Sequence, residues 1–483
     1  MTDPTTVILH YFEEINTIPR CSQNEAELCR WLQKWAADRD LYYVCDEAGN
    51  LLIQVPSSSG LENAPTVVLQ GHMDMVCEKT PDSDHDFNKD PIISYREGEW
   101  LTAAGTTLGA DNGIAIAYML ALVEDDKISH PPLELLFTVD EETGLNGAKR
   151  LQSDFIQGRI LINLDSEDEG VFTIGCAGGV DTTISLGLET APPRPDGQCH
   201  ALVVGGLKGG HSGIDIHKHR GNANRILART LAHIHTDTPM RIISIDGGSR
   251  KNAIPRDAMA AIWTDASRQA EVEKAVAQIE QTIKAEFAKS DKGLFITLKP
   301  PSDTEAGQPT IVPEATDQIL RLLLSLPTGV AHMSPELEGV VETSCNLATV
   351  RLNNGALTVV SSQRSAAVSR LDEITASVHA VAQLAEASVK DQDAYPPWQP
   401  QLDSALLSRS KKTYRMLYQQ EPVIQVIHAG LECAVIGDLY TGMDMISFGP
   451  TIRDPHSPAE RIWIPSIEKV WTFLGALLEE ISR

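Results

Sequence analysis

The stretch that most constrains the fold is L-E-L-L-F-T-V-D-E-E-T-G, from Leu133 to Gly144. An apolar run rich in β-forming residues leads directly into Asp140, Glu141 and Glu142, which is typical of a buried strand that ends at a sheet edge. Ligands of open α/β sheets bind just beyond the carboxyl ends of the strands. Neighbouring carboxylates repel each other, so we expect either a solvated acidic turn or a site where a cation binds one carboxylate and the other accepts a proton.

Three neighbouring segments end in the same way. T-V-V-L-Q-G-H-M-D-M-V predicts a strand that delivers His72 and Asp74 to one face, where Asp74 can steady the imidazole. R-I-L-I-N-L-D predicts a strand that ends in Asp165, and L-G-A-D-N-G-I-A-I-A-Y places Asp111 between two glycines at the start of an apolar helix. Taken singly, these patterns also fit a strand-end pair without a metal and an N-cap aspartate. Because the segments share one expected edge, we favour a common site.

A fifth segment, near the end of the chain, adds a second histidine. A strand over Met443 to Phe448 leads into G-P-T-I-R-D-P-H-S-P, which carries His456 between two prolines that stiffen the loop. Two imidazoles and three carboxylates suit a pair of divalent ions, zinc first, with one carboxylate bridging. The predicted ligands are His72, Asp111, Glu142, Asp165 and His456.

Glu141 is left over from this set. Metal ions about 3.5–4 Å apart polarise a carbonyl and activate water at neutral pH. We therefore expect Glu141 to deprotonate the water and to pass the proton to a leaving amine.

The order of elements predicts an α/β protein with an inserted domain. The chain has 483 residues. From about residue 180 to a Pro-rich segment around 395–398, its sequence pattern predicts alternating strands and amphipathic helices. We predict that residues 1–180 and 396–483 form a catalytic zinc domain with a mixed, mostly parallel sheet flanked by helices. Residues 181–395 are predicted to form an inserted α/β domain of two lobes.

Charge and cysteine usage narrow the possible partners and compartments. The net charge of −26, from 66 acidic and 40 basic residues, argues against nucleic acid or an anionic membrane as partner. The sequence shows neither a secretory signal pattern at its start nor an apolar run of ~20 residues. Its eight cysteines are scattered without a C-x-x-C pair, which favours reduced thiols and a cytoplasmic location.

Motifs along essentially the whole chain resemble one family. The chain is similar to the co-catalytic zinc metallopeptidases of the carboxypeptidase G2, aminoacylase and dipeptidase type, and among them to the bacterial cytosolic aminoacyl-histidine dipeptidases. The matching stretches are F-E-E-I-N-T-I-P-R-C-S, G-H-M-D-M-V, L-G-A-D-N-G-I, D-E-E-T-G, N-L-D-S-E-D-E-G, K-G-G-H-S-G, R-K-N-A-I-P-R and G-P-T-I-R-D-P-H-S-P-A-E-R.

This resemblance implies an assignment of the metal ligands. His72 and Asp165 would bind one zinc ion, Glu142 and His456 would bind the other, and Asp111 would bridge the two. The family expectation is two Zn²⁺ per chain, with Co²⁺ or Mn²⁺ as possible substitutes.

The resemblance also implies roles for residues outside the ligand set. Asp74 would orient the imidazole, and Glu141 would be the general base. His211, in K-G-G-H-S-G, would steady the oxyanion, while Asn252 and Arg364 would grip the substrate, Arg364 at its terminal carboxylate. The inserted domain would close as a lid that brings in the histidine, either from the same chain or from the partner in a homodimer.

Three functions follow as hypotheses. The first is a metallo-exopeptidase that hydrolyses dipeptides, including β-alanyl-histidine. The second, with the same centre, is an N-acyl-amino-acid deacylase or a tripeptidase, and pocket shape would decide between them. The third is a non-catalytic binding protein, which the presence of every ligand and of the general base disfavours.

Overall fold

The computed structural model describes residues 3–301 and 307–483, and the chain divides into two compact units. Unit 1 comprises Met1–Cys176, Trp398–Val426 and Leu431–Arg483, and unit 2 comprises Ala177–Pro397 and Ile427–Gly430. Across the described ranges, no helix has the length and apolar character needed to span a membrane.

The helices and strands follow one another in three stretches of chain. The first stretch contains α1 (Pro4–Ile15), α2 (Ala26–Ala37), β1 (Tyr42–Cys45), β2 (Leu51–Val55), β3 (Val67–His72), β4 (Ser94–Glu97), β5 (Trp100–Ala103), α3 (Ala110–Glu124), β6 (Leu133–Thr138), β7 (Ile160–Asn163) and β8 (Val171–Cys176). The second stretch contains β9 (Gly178–Gly187), β10 (Thr190–Ala191), β11 (Gly197–Gly205), β12 (Gly210–His211), α4 (Ala223–Asp237), β13 (Met240–Gly247), β14 (Ala253–Ile254), β15 (Ala258–Asp265), α5 (Gln269–Glu286), β16 (Phe295–Lys299), β17 (Thr310–Ile311), α6 (Pro313–Ser325), β18 (Gly329–Met333), β19 (Val341–Asn353), β20 (Ala356–Ser365), α7 (Val368–Leu384) and β21 (Ser388–Tyr395). The third stretch contains α8 (Ala405–Tyr418), β22 (Val423–Ile427), α9 (Glu432–Leu439), β23 (Asp444–Ser447), β24 (Ile452–Arg453), β25 (Arg461–Trp463) and α10 (Ile464–Ile481).

Unit 1 is built on an eight-stranded sheet in the order β1-β2-β6-β3-β7-β23-β8-β22. The central strands are parallel: β3 pairs in parallel with both β6 and β7, and β23 pairs in parallel with β7. Every residue of β3 and β6 is buried, as expected for parallel strands covered on both faces. A smaller antiparallel sheet has the order β24-β25-β5-β4. The predicted α/β class, with a mixed sheet flanked by helices, is confirmed.

Unit 2 is built on one nine-stranded sheet, in which β16, β11, β15, β13, β19, β20, β9 and β21 lie side by side and β18 pairs with β19. A single apolar cluster packs α4, α5, α6 and α7 against it. Asn354 and Gly355, a dipeptide typical of two-residue hairpin turns, join β19 to β20, and both residues have a positive φ. One continuous sheet therefore runs through unit 2, and the division of the inserted domain into two lobes stays a prediction.

Helix α2 begins later than the sequence around it suggests. Ser22 and Glu25 have the spacing of a capping box, but α2 starts at Ala26. The Ser22 hydroxyl instead donates a hydrogen bond to Asp74 at 2.8 Å, and Glu25 accepts the backbone N–H of Asp140 at 2.9 Å. Because both side chains bond to distant parts of the chain, they do not form a capping box at the start of α2.

The expectation that all cysteines are reduced thiols is wrong for one pair. Cys21 and Cys77 form a disulfide, with a sequence separation of 56 residues, whereas the other six cysteines, all among the described residues, form no disulfide. The sequence could not predict which cysteines pair across this separation, because only the fold brings the segment after α1 beside the segment after β3. The disulfide flanks the contact between Ser22 and Asp74.

We predict that Cys77→Ser lowers the free energy of unfolding by about 4 kcal/mol, because it releases a closed loop of this length in the unfolded chain. Urea denaturation under oxidising conditions measures the difference, and a reducing agent should lower wild type to the level of the variant. Cys45→Ser, at an exposed free thiol, is the control. Equal stability of Cys77→Ser and oxidised wild type would contradict the prediction.

Candidate active site

The parallel centre of the unit 1 sheet brings the predicted side chains to one edge. In the strand register, His72 at the end of β3 lies opposite Thr138 at the end of β6, and Gln70 lies opposite Asn163 of β7. The carboxylate turn after β6 and Asp165 after β7 therefore leave the sheet beside His72.

Asp74 connects two of these strand ends. Its carboxylate lies 3.3 Å from His72 Nδ1 and accepts the backbone N–H groups of Glu141 at 3.0 Å and Glu142 at 3.2 Å. Ser22 donates a further hydrogen bond to it. Although burial alone would raise it, these contacts lower the pKa of Asp74 to about 2. Asp74 thus stays ionised and fixes both the imidazole and the acidic turn.

Asp111 lies between the two histidines. Its Oδ1 is 3.1 Å from His72 Nε2, and its Oδ2 is 3.0 Å from His456 Nε2. His456 Nε2 is also 2.9 Å from Glu142 Oε1, and His72 Nε2 is 3.3 Å from Asp165 Oδ1. Asp111 has non-helical dihedral angles and does not cap α3. Its two oxygens instead face the two imidazoles.

The five predicted ligands form overlapping groups. Ligand atoms within each group all lie within 4.8 Å of one another, and Asp111 belongs to two of the groups. The groups are His72 with Asp111 and Asp165, Asp111 with Glu142 and His456, and His72 with Glu141 and Glu142.

The charge balance of these donors favours bound cations. Burial lowers the pKa of His72, but the carboxylates of Asp165 and Asp111 outweigh burial and raise this pKa well above its usual value. Burial also lowers the pKa of His456, yet its contacts with Asp111 and Glu142 raise it to about 11. The carboxylates therefore draw positive charge onto both imidazoles.

The pKa values of the carboxyl groups are also shifted in this cluster. Burial raises the pKa of Asp165 to about 6. Burial, together with the nearby Asp165 and Glu142, also raises the pKa of Glu141 well above its usual value. Carboxyl groups that are this costly to ionise together are stabilised by divalent cations.

Two further observations fit a metal centre. Glu142 Oε1 is buried and lies 2.9 Å from His456 Nε2, and no backbone N–H or hydroxyl group of the described residues donates to it. A separate group of Glu25, Asp74 and Asp140 differs, because protein N–H and O–H groups already donate to each of its carboxylates. Nitrogen and carboxylate donors in this ratio suit borderline divalent ions such as zinc.

Two buried residues that the sequence analysis did not single out hold this edge together. The Arg20 guanidinium donates hydrogen bonds to the carbonyls of Met73 at 3.2 Å and Gly109 at 2.6 Å. Glu460 Oε2 accepts the N–H groups of Leu108 at 2.7 Å and Gly109 at 3.0 Å. Glu460 Oε1 accepts the N–H of Asp111 at 3.2 Å. Sequence spacing gave no signal for these contacts, which join segments far apart in the chain.

Unit 2 fixes the tautomer of His211. Backbone N–H groups of Gly213 and Ile214 donate to His211 Nδ1 at 3.1 and 3.0 Å. Burial, together with the Arg364 cation, lowers the pKa of His211 to about 4, against the opposing effect of Asp215. The imidazole is therefore neutral near pH 7, and its proton sits on Nε2.

Arg364 and a second histidine lie near His211 in unit 2. Arg364 Nη1 donates to the Tyr395 hydroxyl at 2.7 Å, and its buried Nε has no hydrogen-bond partner among the described residues. Burial lowers the pKa of His428 to about 3, with Arg364 and His211 as further causes. His428 follows β22 directly, and this strand-end position is the signal that the sequence analysis overlooked.

Asn252 lies next to the His211 strand, because β12 pairs with β14 and the Ser212 N–H donates to the Asn252 carbonyl at 2.8 Å. Its side chain is exposed. The structure therefore brings the unit 2 residues named by the sequence into one neighbourhood, as it does the ligands of unit 1.

Comparison with known proteins identifies the family. The model of peptidase family M20/M25/M40 matches residues 68–480. The chain belongs to this peptidase family. This confirms the resemblance seen in the motifs, and the chain is accordingly a metallopeptidase, a hydrolase of peptide bonds.

Relatives within the family cover nearly the whole chain. The cytosol non-specific dipeptidase of Escherichia coli (strain K12) is 41% identical over 470 residues, which are 97% of this chain and 96% of the relative. The crystal structure of aminoacylhistidine dipeptidase from Vibrio alginolyticus matches with a TM-score of 0.90 at 38% identity, covering 99% of this chain and 98% of the other. A tripeptidase from Staphylococcus aureus, at 16% identity with a TM-score of 0.58 over 99% of both chains, shares the fold.

We predict that acid weakens the fold at His428. Its pKa falls from about 6.5 in the unfolded chain to about 3 in the fold, so the unfolded chain binds more protons between these values and stability drops as pH falls through that window. At pH 5 the loss is about 2 kcal/mol relative to pH 7. Urea denaturation at both pH values measures it.

His428→Gln should remove this part of the pH dependence, and His219→Gln, at an exposed histidine, should keep it. An unchanged pH dependence in His428→Gln would show that His428 titrates normally in the folded protein.

Proposed function

We propose that the chain is a metal-dependent dipeptidase of broad specificity that acts in the cytoplasm and accepts Xaa-His dipeptides, including β-alanyl-histidine. The observation that carries the proposal is the convergence of two histidines and three carboxylates around Asp111. The names of the two relatives similar over the whole chain support the substrate class, since one is a non-specific dipeptidase and the other an aminoacylhistidine dipeptidase.

The contacts support two metal positions that share one ligand. His72 and Asp165 would hold the first ion, Glu142 and His456 would hold the second, and Asp111 would face both. Zinc is the first candidate, and Co²⁺ or Mn²⁺ are possible substitutes. Bound divalent ions polarise the scissile carbonyl and lower the pKa of water.

Glu141 is the group that moves the proton. It lies in a group with His72 and Glu142, but it is the carboxylate that the two metal positions do not use. Its raised pKa fits a group that takes a proton from the attacking water and then donates it to the nitrogen of the leaving amino acid. Asp74 assists by fixing the His72 ring and the backbone of the acidic turn.

His211 supplies a hydrogen-bond donor for the oxyanion. Because Gly213 and Ile214 occupy Nδ1, the Nε2–H is the group that remains for substrate. A neutral imidazole held in one tautomer needs no reorganisation when negative charge develops on the carbonyl oxygen.

Arg364 binds the terminal carboxylate of the dipeptide. Its guanidinium keeps an unpartnered Nε donor while Tyr395 holds Nη1, so its plane is fixed and part of its fork is available. Asn252 contributes a polar contact to the substrate from the turn directly before β14. These assignments require a free carboxylate at the end of the substrate.

Two expectations about assembly stay predictions. One is that the inserted domain acts as a lid, and the other is that the protein forms a homodimer. The source of His211, from the same chain or from a partner, depends on both.

Substrate class is tested with a dipeptide, a tripeptide and an N-acetyl amino acid assayed side by side on metal-loaded protein. We expect a kcat/KM for alanyl-histidine and β-alanyl-histidine at least about tenfold above that for the tripeptide, because Arg364 requires a carboxylate at dipeptide length. The N-acetyl amino acid has its carboxylate at the same distance from the scissile bond, so its rate shows whether the free amino group of the dipeptide is also required. Chelation of the metal should abolish all activity. Preference for the tripeptide or the acetylated substrate would identify the alternative members of the family.

Glu141→Gln should lower kcat by about 10²–10⁴-fold while metal content stays near two ions per chain, because the variant loses proton transfer and keeps the ligands. Asp111→Ala should lose metal as well, because both positions share this carboxylate. Metal analysis and dipeptide kinetics on the same preparations measure both effects. Glu47→Gln, at an exposed carboxylate, is the control. Full activity of Glu141→Gln would remove Glu141 from the mechanism.

A further inference from the structure

A buried carboxylate that the mechanism does not use lies behind the metal ligands. Glu432 is the first residue of α9 and has 0% of its surface exposed. Its Oε1 has no hydrogen-bond partner, and no ion pair to it occurs within the described part of the chain. Burying an unpaired carboxylate is costly, so its position needs a compensating role.

The other oxygen of Glu432 anchors a chain of hydrogen bonds. Oε2 accepts from Gln70 Nε2 and from Thr138 Oγ1, both at 2.6 Å. Gln70 Oε1 in turn accepts from Asn163 Nδ2 at 2.6 Å, and Asn163 Oδ1 accepts the backbone N–H of Asp165 at 3.3 Å. One carboxylate therefore connects β3, β6 and β7 through side chains alone.

These contacts lie directly before the residues of the centre. Gln70 precedes His72 by two residues and points to the same face of β3, as alternate residues of a strand do. Asn163 precedes Asp165 by two residues, and Thr138 ends the strand that leads into Glu141. The residues of the network thus lie in the strands, two or three positions before the residues of the centre.

We propose that Glu432 is a positioning residue of the metal centre, which holds the ends of β3, β6 and β7 in register through Gln70, Thr138 and Asn163. The inference rests on the proposed function, because it assumes that His72 and Asp165 bind metal. Groups that orient metal ligands from behind typically change metal affinity or activity by 10–100-fold when they are removed.

The test compares substitutions at two buried glutamates that hydrogen-bond to residues at opposite ends of the unit 1 sheet. Glu134, on β6, is 2% exposed and accepts the N–H groups of Gln157 and Gly158 at the opposite end of the strand from Thr138. Glu134→Ala therefore creates a similar cavity and leaves similar polar groups unpaired, without touching the network. Metal-free wild type, Glu432→Ala, Glu432→Gln and Glu134→Ala are titrated with Co²⁺, and the visible absorption of bound Co²⁺ reports affinity and coordination.

We expect Glu432→Ala to bind Co²⁺ at least about tenfold more weakly and with an altered spectrum. Glu432→Gln should restore affinity and spectrum, because its amide oxygen can accept both hydrogen bonds of Oε2. Glu134→Ala should lose stability and keep wild-type affinity. If Glu432→Ala fails to fold, Gln70→Met, which breaks the same links at similar volume, should show the tenfold loss.

Wild-type affinity in Glu432→Ala or in Gln70→Met would overturn the inference, as would equal losses in Glu134→Ala and Glu432→Ala. A Glu432→Gln variant as weak as Glu432→Ala would also overturn it, because charge rather than hydrogen-bond geometry would then be responsible. Asp111→Ala separates this failure from that of the proposed function. If Asp111→Ala still binds two ions, the metal centre itself is wrong, and if it loses them, only the role of Glu432 is at issue.

Discussion

Mutual repulsion among carboxylates at one sheet edge is the constraint on which this structure depends. Three parallel strands end side by side, and Asp111, Glu142 and Asp165 converge there on two imidazoles. Such a cluster is stable only if cations or protons compensate it. The raised pKa values of His72 and His456 show the protein drawing positive charge to the cluster. The same imbalance is what gives a divalent ion high affinity.

Much of the surrounding structure serves to hold these charges in place. Arg20 joins the segments that carry Asp74 and Gly109, and Glu460 fixes the backbone around Asp111 with three accepted N–H groups. Asp74 fixes the acidic turn, and Glu432 lies beneath it. Each of these buried charged groups accepts or donates hydrogen bonds, although Arg20 Nε and Glu432 Oε1 have no partner among the described residues. Together the groups form a polar network that holds the ligand-bearing segments in place.

The sequence predicted the elements more reliably than their boundaries. The positions of β3, β6 and β7 were predicted from apolar runs followed by His or Asp. Strands buried on both faces are apolar along nearly their whole length, which makes them easy to recognise in a sequence. Local capping rules failed at Ser22, whose hydroxyl bonds Asp74 instead of a helix end. The same rules misjudge Asp111, because Glu460 takes over the role of accepting the N–H groups before α3. Distant partners outcompete local ones at this edge.

The sequence by itself determined the α/β class, the family and which histidines and carboxylates come together, because strand periodicity and contiguous motifs are local properties of the chain. Only the tertiary structure decided the Cys21–Cys77 bond, the Nε2–H tautomer of His211, and the burial of Arg20, Glu432 and Glu460. The disulfide and the three buried charges depend on contacts between segments tens to hundreds of residues apart, whereas the tautomer depends on how the backbone turns over the three residues after His211. Long-range contacts of this kind cannot be predicted from residue spacing, because they form only when the strands assemble into the sheet in their final order.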